Sequence, residues 1–163
     1  MGGNNNQQIP MKSLIAVVIL TTLLPAVGFG QEEAPLHQGL GLSAGIVGGT
    51  GFSYRYMPEK GLGFHSSVIL WKVHDNSYFH AALEPLYVLK NSGHTAMYLV
   101  GGWAFVQTEN RSDGAVGFGM GFAWRRFAWW PQEQVWTSFD LVMTSFRGDI
   151  FPYPQVAMHY LIW

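Results

Sequence analysis

Cysteine is absent from the 163 residues. That removes a disulfide framework, a thiolate metal site, a cysteine nucleophile and the lipid-bearing cysteine of a lipoprotein. Charge is scarce as well: Asp, Glu, Lys and Arg make up 12 % of the chain, about half the usual share of roughly 25 %. With 7 Trp, 7 Tyr and 11 Phe besides, there is too little polar surface to wrap a water-soluble core, and a greasy outer surface is implied. The formal net charge is −1, and the basic residues cluster nowhere beyond the pair Arg125-Arg126, so no nucleic-acid partner is expected. Long apolar runs are missing too. The one candidate, from Leu14 to Leu24, is cut by Pro25 and falls short of the roughly 20 residues a membrane helix needs.

That run has a different meaning. Lys12 precedes it, Pro25 breaks it, and Gly28-Phe29-Gly30 supplies a small-x-small cleavage site before Gln31-Glu32-Glu33, the pattern of a secretory signal peptide. Residues 1–30 are therefore expected to be a cleaved export signal. Met11-Lys12 is itself a usual beginning for such a segment, which makes residues 1–10 an upstream leader, and 31–38 a short polar lead-in.

From Gly39 onward the dominant period is two. Leu40, Leu42, Ala44 and Ile46 alternate with Gly41, Ser43 and Gly45; Phe52, Tyr54 and Tyr56 alternate with Ser53 and Arg55. Phe118, Met120, Phe122 and Trp124 alternate with Gly117, Gly119, Gly121, Ala123 and Arg125. One face is large and apolar, the other small or polar. A soluble sandwich or barrel turns its apolar face inward and does not fill the other with glycine; a membrane barrel inverts the arrangement. Turn-forming clusters divide residues 39–163 into eight segments: 39–47, 51–57, 62–73, 78–89, 95–107, 115–126, 135–146 and 154–163. The expected fold is all-β, a closed antiparallel eight-stranded transmembrane β-barrel. Segments three, five and eight alternate poorly, and Pro85 is expected at a bulge or an unpaired position. An even strand number returns both ends of the barrel domain to one side, the periplasm for an exported chain, so the turns at 48–50, 74–77, 108–114 and 147–153 should face outward.

Taken together, the signal segment, the eight alternating segments, the missing cysteine and a last strand Gln155-Val156-Ala157-Met158-His159-Tyr160-Leu161-Ile162-Trp163 resemble the small eight-stranded outer-membrane barrels of Gram-negative bacteria. The resemblance implies location in the outer membrane, outer-membrane lipid as surroundings and the barrel assembly machinery as a partner during biogenesis. It also implies that Leu161 and Trp163 form the C-terminal assembly signal, a pattern from which His159 departs. It brings no activity with it.

The same register points Arg55, Glu84, Arg125 and Asp140 into the lumen, with His65 and His80 near them. Matched charges in a narrow lumen neutralise each other, since one left alone in low dielectric costs several kcal/mol. Arg125 and Asp140, on consecutive strands, form the first pair to consider, and small residues such as Ser43 and Ser53 should accept polar replacements. Phe52, Tyr54, Tyr56, Phe118, Met120 and Phe122 should face lipid, and Trp124, Trp129 and Trp130 should belong to the interfacial aromatic girdle. For catalysis, His65-Ser66-Ser67 and Asp140 with Ser145 offer the residue types without a nucleophile elbow around them. His65 and Ser66 must also point to opposite faces of a strand. His74, Asp75 and His80 straddle a turn and read as a solvated loop, so neither a metal nor a cofactor is expected. Arg147-Gly148-Asp149 resembles an adhesion tripeptide but is also an ordinary tight turn. The expected role is structural, in envelope integrity or surface interaction, with a side-chain-filled lumen. A lipid-modifying outer-membrane hydrolase is one alternative, and a secreted soluble barrel for an apolar ligand is another.

Overall fold

A computed structural model describes residues 37–73, 76–125 and 134–162. The expected signal segment, Trp129, Trp130, Trp163, His74 and Asp75 lie outside them. The described residues form eight strands: β1 (His37–Ala44), β2 (Gly51–Met57), β3 (Gly61–Val73), β4 (Asn76–Asn91), β5 (Thr95–Thr108), β6 (Arg111–Arg125), β7 (Val135–Phe146) and β8 (Asp149–Leu161). Each pairs antiparallel with its chain neighbours, and β1 pairs with β8, so the sheet closes into a barrel. Closure leaves no edge along the paired part of the wall.

Alternation decides which side chains enter. The outer wall carries Leu40, Leu42, Phe52, Leu62, Leu99, Phe118, Met120, Phe122, Leu141, Met158 and Tyr160, all exposed, with Phe52 at 74 % and Phe118 at 72 %. The inner face holds Arg55, His65, Glu84, Asp140, Gln155 and His159, all buried. Inner glycines act as sockets for single large groups. A methyl at Gly121 would overlap the Asp140 carboxylate and the Tyr98 ring. One at Gly102 would lie 2.9 Å from Val47 Cγ1, and one at Gly117 3.0 Å from Val47 Cγ2.

The first outward turn is the main departure from the sequence reading. β1 stops at Ala44 rather than Val47, and residues 45–50 run into the barrel, where Val47, Gly48 and Gly49 are buried. Gly49 has φ +74°, and at Gly48 a Cβ would stand 2.8 Å from Glu84 Oε2, so this path depends on residues without side chains. The other hairpins at that end are tighter than expected. β5 and β6 are joined through Glu109 and Asn110 alone, and β7 and β8 through Arg147 (φ 57°) and Gly148 (φ 89°). Two positive φ values in a two-residue connection match the twist of a type I′ hairpin. Asp149 therefore begins β8 and Arg147 folds back onto Asp113 (2.9 Å), so the Arg-Gly-Asp tripeptide is a hairpin turn with its arginine engaged.

Prolines mark where pairing ends. β1 meets β8 only from Gly39↔Leu161 to Ala44↔Val156. Pro152, expected in the turn 147–153, and Pro154, expected to begin the last strand, both lie inside β8 beyond that point, where β8 pairs with β7 alone and a missing N–H need cost no ladder bond. Pro85 faces Phe64 on β3, while the ladder to β5 skips from Leu83↔Trp103 to Leu86↔Val100. It is therefore unpaired on its β5 side alone, and the bulge falls between Val88 and Lys90.

Candidate functional site

A connected set of polar and charged side chains from six strands meets inside the barrel. Arg55 on β2 is 5 % exposed; its Nη1 donates to the Tyr98 hydroxyl on β5 (2.8 Å) and its Nη2 to Asp140 Oδ2 on β7 (3.4 Å). The Tyr98 hydroxyl in turn donates to Asp140 Oδ1, and the Arg55 guanidinium lies 5.4 Å from the centre of the Tyr98 ring. One carboxylate thus takes two donors from across the lumen.

Glu84 on β4 gathers a second cluster. His65 Nδ1 lies 2.7 Å from its Oε2, and Gln155 Nε2 donates to its Oε1 at 2.9 Å. The inward loop is tied to this cluster by its backbone. Gly48 N–H donates to Gln155 Oε1, Ser67 Oγ donates to Gly48 O at 2.7 Å, and His80 Nε2 lies 3.0 Å from Ile46 O. Buried peptide groups need such partners, since an unmade hydrogen bond costs about 1–3 kcal/mol. A third contact joins Ser53 Oγ to His159 Nε2 at 2.9 Å, and the His159 ring stands edge-on to His65 with centroids 5.3 Å apart.

Of the four expected lumen charges, Arg55, Glu84 and Asp140 are buried inside the wall. Arg125 is half-buried at the end of β6, with its guanidinium 5.4 Å from the Trp136 ring centre. The expected Arg125–Asp140 pair is replaced by Arg55–Asp140. Asp140 stands opposite Gly121 and Arg125 opposite Trp136, four positions apart along the ladder, or roughly 14 Å at strand rise. Ser53 is not a free small residue either, because His159 occupies its hydroxyl. Phe52, Phe118, Met120 and Phe122 stand exposed on the outer wall, with Tyr54, Tyr56 and Trp124 half-exposed. Leu161 lies on the inner face with His159, packed against the buried core, and the outward set of β8 is Val156, Met158 and Tyr160.

Tyr98 and Gln155 were not singled out by sequence. On β5 both faces are apolar, Met97, Leu99 and Trp103 against Ala96, Val100 and Ala104, so alternation does not say which face holds the tyrosine. A lone phenol opposite the glycine of β6 was the available signal.

Next to the network, at the end of the barrel where the chain enters and leaves, lies a cavity of about 20 Å³ lined by Arg55, Met57, Trp136, Ser138, His159 and Leu161 among others. That is room for one water. Ser53 and His159 are 4 % and 2 % exposed, and the second ring nitrogen of His159 has no hydrogen-bond partner among the described residues. Among the described residues no third group orients the His159 ring, and the cavity beside it is too small for an acyl chain. Among the described residues no three His, Asp or Glu side chains converge on a metal-sized site.

No protein-family model matches the chain, and no curated protein matches it. Among solved structures, the outer membrane protein Ail of Yersinia pestis, determined in a phospholipid bilayer nanodisc, is similar over 78 % of this chain and 99 % of that one, at 13 % identity and a TM-score of 0.46. This is a likeness in the course of the backbone, and the eight-stranded closed barrel rests on the chain's own strand pairing.

Proposed function

We propose that the chain is an exported β-barrel of the Gram-negative outer membrane whose role is structural or surface-interactive, with a lumen closed by its own side chains and by the loop 45–50. One observation carries the reading: the wall is inverted, with leucines, phenylalanines and methionines exposed around the outside while arginine, glutamate, aspartate and histidine are buried within. A soluble barrel in water would forfeit about 25 cal/mol for every Å² of that apolar belt; in a bilayer the same surface is matched to its surroundings. Conduction is disfavoured by the paired charges and the sockets filled by Tyr98 and Val47. In this reading the ends of β1 and β8 face the periplasm and the hairpins at 45–50, 109–110 and 147–148 face outward. The export signal at 1–30 and an assembly signal in the last strand are parts of the same proposal.

Fractionation of cells producing the full chain tests it. The protein should appear in the outer membrane without residues up to about Gly30, and should migrate differently on gels when unheated than when boiled. Recovery from the soluble periplasm without detergent would favour the apolar-ligand barrel instead.

A further inference from the structure

The wall is not equally tall all round. A tilted barrel strand needs about 9–11 residues to cross the hydrocarbon, whereas β1 and β2 have 8 and 7. Their neighbours β3 and β8 have 13 each. Pairing of β2 with β3 ends at Phe52↔Val68, and pairing of β1 with β8 ends at Ala44↔Val156. Beyond those points β3 and β8 each have a neighbour on one side only. Trp71 shows the consequence: it has the inward parity of His65 and Ser67, yet it is 59 % exposed because no strand stands beside it. A free backbone edge finds no partner in hydrocarbon, so a bilayer around this wall calls for a further length of paired strand at that height.

Residues 45–50 can supply it. The loop leaves the wall between Gly45 and Gly51, where Gly51 has φ +125°, and Thr50 Oγ1 donates to Gly45 O at 3.0 Å across its neck. Continuing the register Ser43↔Gly51 gives Ala44↔Thr50 and Gly45↔Gly49, with 46–48 as a three-residue turn and Gly48 at its left-handed position. β1 and β2 then cover 37–45 and 49–57, about 9 residues each, which meets the crossing length. Continuing Phe52↔Val68 sets Gly51, Thr50 and Gly49 beside Ile69, Leu70 and Trp71. Pairing of β3 thus reaches Lys72, which is exposed and whose ammonium belongs among headgroups. On β8 the extension adds Gln155, and above it Pro152 and Pro154 have no N–H to leave unpaired.

We propose that residues 45–50 have two seats, the lumen seat observed and a wall seat in which they lengthen β1 and β2, and that bilayer thickness sets the balance between them. The inference rests on the membrane reading above. The seats exclude each other. In the lumen seat Gly48 N–H donates to Gln155 Oε1, Ser67 Oγ donates to Gly48 O, and Val47 fills the space left at Gly102 and Gly117. In the wall seat ladder bonds replace these contacts, and the lumen opens from the hairpin-tip end down to the layer of Arg55, Tyr98 and Asp140. A thicker hydrocarbon layer puts more of the free edges of β3 and β8 in lipid and favours the wall seat; a thinner one leaves them among headgroups and favours the lumen seat. Gly51 is the hinge. A methyl there would stand 2.5 Å from Ile69 Cβ in the lumen seat, at a φ that suits glycine, whereas an extended strand accepts alanine.

Amide exchange of the protein in nanodiscs of short-chain (dimyristoleoyl) and long-chain (dierucoyl) phosphatidylcholine tests this. From the shorter to the longer lipid, protection of Gly48 should fall several-fold while protection of residues 69–71 rises several-fold. Gly51→Ala should move both in those same directions within a single lipid. Protection at Gly48 and at 69–71 that changes in one direction together, or that ignores lipid length, would overturn the two seats. The lipid comparison uses the native chain, so a misfolded Gly51→Ala variant would not block the test. Because the native chain has no cysteine, Phe118→Cys takes a single bimane label that reports on the membrane reading separately. A label left unquenched by brominated phosphatidylcholine would refute that reading and the two seats with it; a quenched label beside unchanged exchange would refute the two seats alone.

Discussion

Replacing Asp140 by leucine removes the group on which Arg55 and Tyr98 converge. At the observed 3.4 Å separation, the Arg55–Asp140 attraction alone is about 5 kcal/mol at an effective dielectric of 20, before the cost of desolvating both ions is subtracted. Breaking such a pair from one side costs about 3–5 kcal/mol, because the other charge stays buried without it. Asp140→Leu should therefore destabilise the barrel by that amount, and Arg55→Met by a similar one. Removing both leaves chiefly the Tyr98 hydroxyl without a partner, worth about 1–3 kcal/mol. The two single losses should accordingly exceed the double loss by more than about 2 kcal/mol. Urea unfolding from phospholipid vesicles, followed by tryptophan fluorescence, measures all four corners of the cycle. Arg125→Met with Asp140→Leu is the control, four ladder positions apart, and should be additive within about 0.5 kcal/mol. A coupling near zero for Arg55 and Asp140, or one as large for Arg125 and Asp140, would refute the pairing. Single-channel conductance that changes with these charges while stability does not would refute the closed lumen.

Phe118→Arg should cost about 2–4 kcal/mol if that site lies near the bilayer midplane, and full tolerance of arginine there would mean that this face does not meet hydrocarbon. Gly121→Ala should destabilise by about 1–3 kcal/mol through overpacking against Tyr98, whereas Gly101→Ala, whose added methyl would come no nearer than 3.9 Å to Gly117 O, should be close to neutral; the same urea assay reads both. Gly48→Val should push the inward loop away from Glu84 and Gln155, visible as faster amide exchange at residues 45–50. Beyond the belt, partial burial favours the neutral form of Asp113, but hydrogen bonds from Arg147 and Arg111 outweigh it and hold its carboxyl below the usual range. The contact between the two hairpin tips is then fully present above the ordinary carboxylate pKa and is lost as pH falls through the lowered value, which amide exchange at Glu109 and Asn110 should follow.

Face assignment was legible wherever one face is bulky and the other is not. β6 is the clearest case: Phe118, Met120 and Phe122 against Gly117, Gly119 and Gly121 leave a single register in which the large groups do not collide. On β5 that contrast disappears, and Tyr98 disappeared with it. Strand ends were misjudged for a local reason. The sequence starts the last strand only at Pro154, whereas β8 starts at Asp149, and Pro152 and Pro154 occupy the stretch that has no β1 beside it. Partner choice inside the lumen was out of reach altogether. Alternation places Arg55, Glu84, Arg125 and Asp140 on one face, but which of them meet depends on height along tilted strands. Gly121 rather than Arg125 stands opposite Asp140, and no composition or spacing records that.

The glycines explain why a backbone segment had to enter the barrel. Gly102 and Gly117 remove two side chains at one level of the inner wall, and their neighbours Ala104 and Ala115 are small. An eight-stranded barrel whose lumen is normally filled by side chains would be left with a void there, and voids are costly because their lining loses its contacts. Val47 fills that space with both methyls, but it can reach the axis only if residues 45–50 turn inward. The turn brings peptide groups into low dielectric, which requires the hydrogen bonds with Ser67, His80 and Gln155 and the glycine at 48. Socket, plug and latch therefore depend on one another. Val47→Ala alone should cost about 2 kcal/mol, in the range for large-to-small core changes, while Gly102→Ala, whose methyl would meet Val47 Cγ1 at 2.9 Å and Glu84 Cγ at 2.7 Å, should cost less in the Val47→Ala chain than in the native one because only the Glu84 clash remains. An equal cost of Gly102→Ala in both chains would show that the loop does not owe its position to the missing side chains.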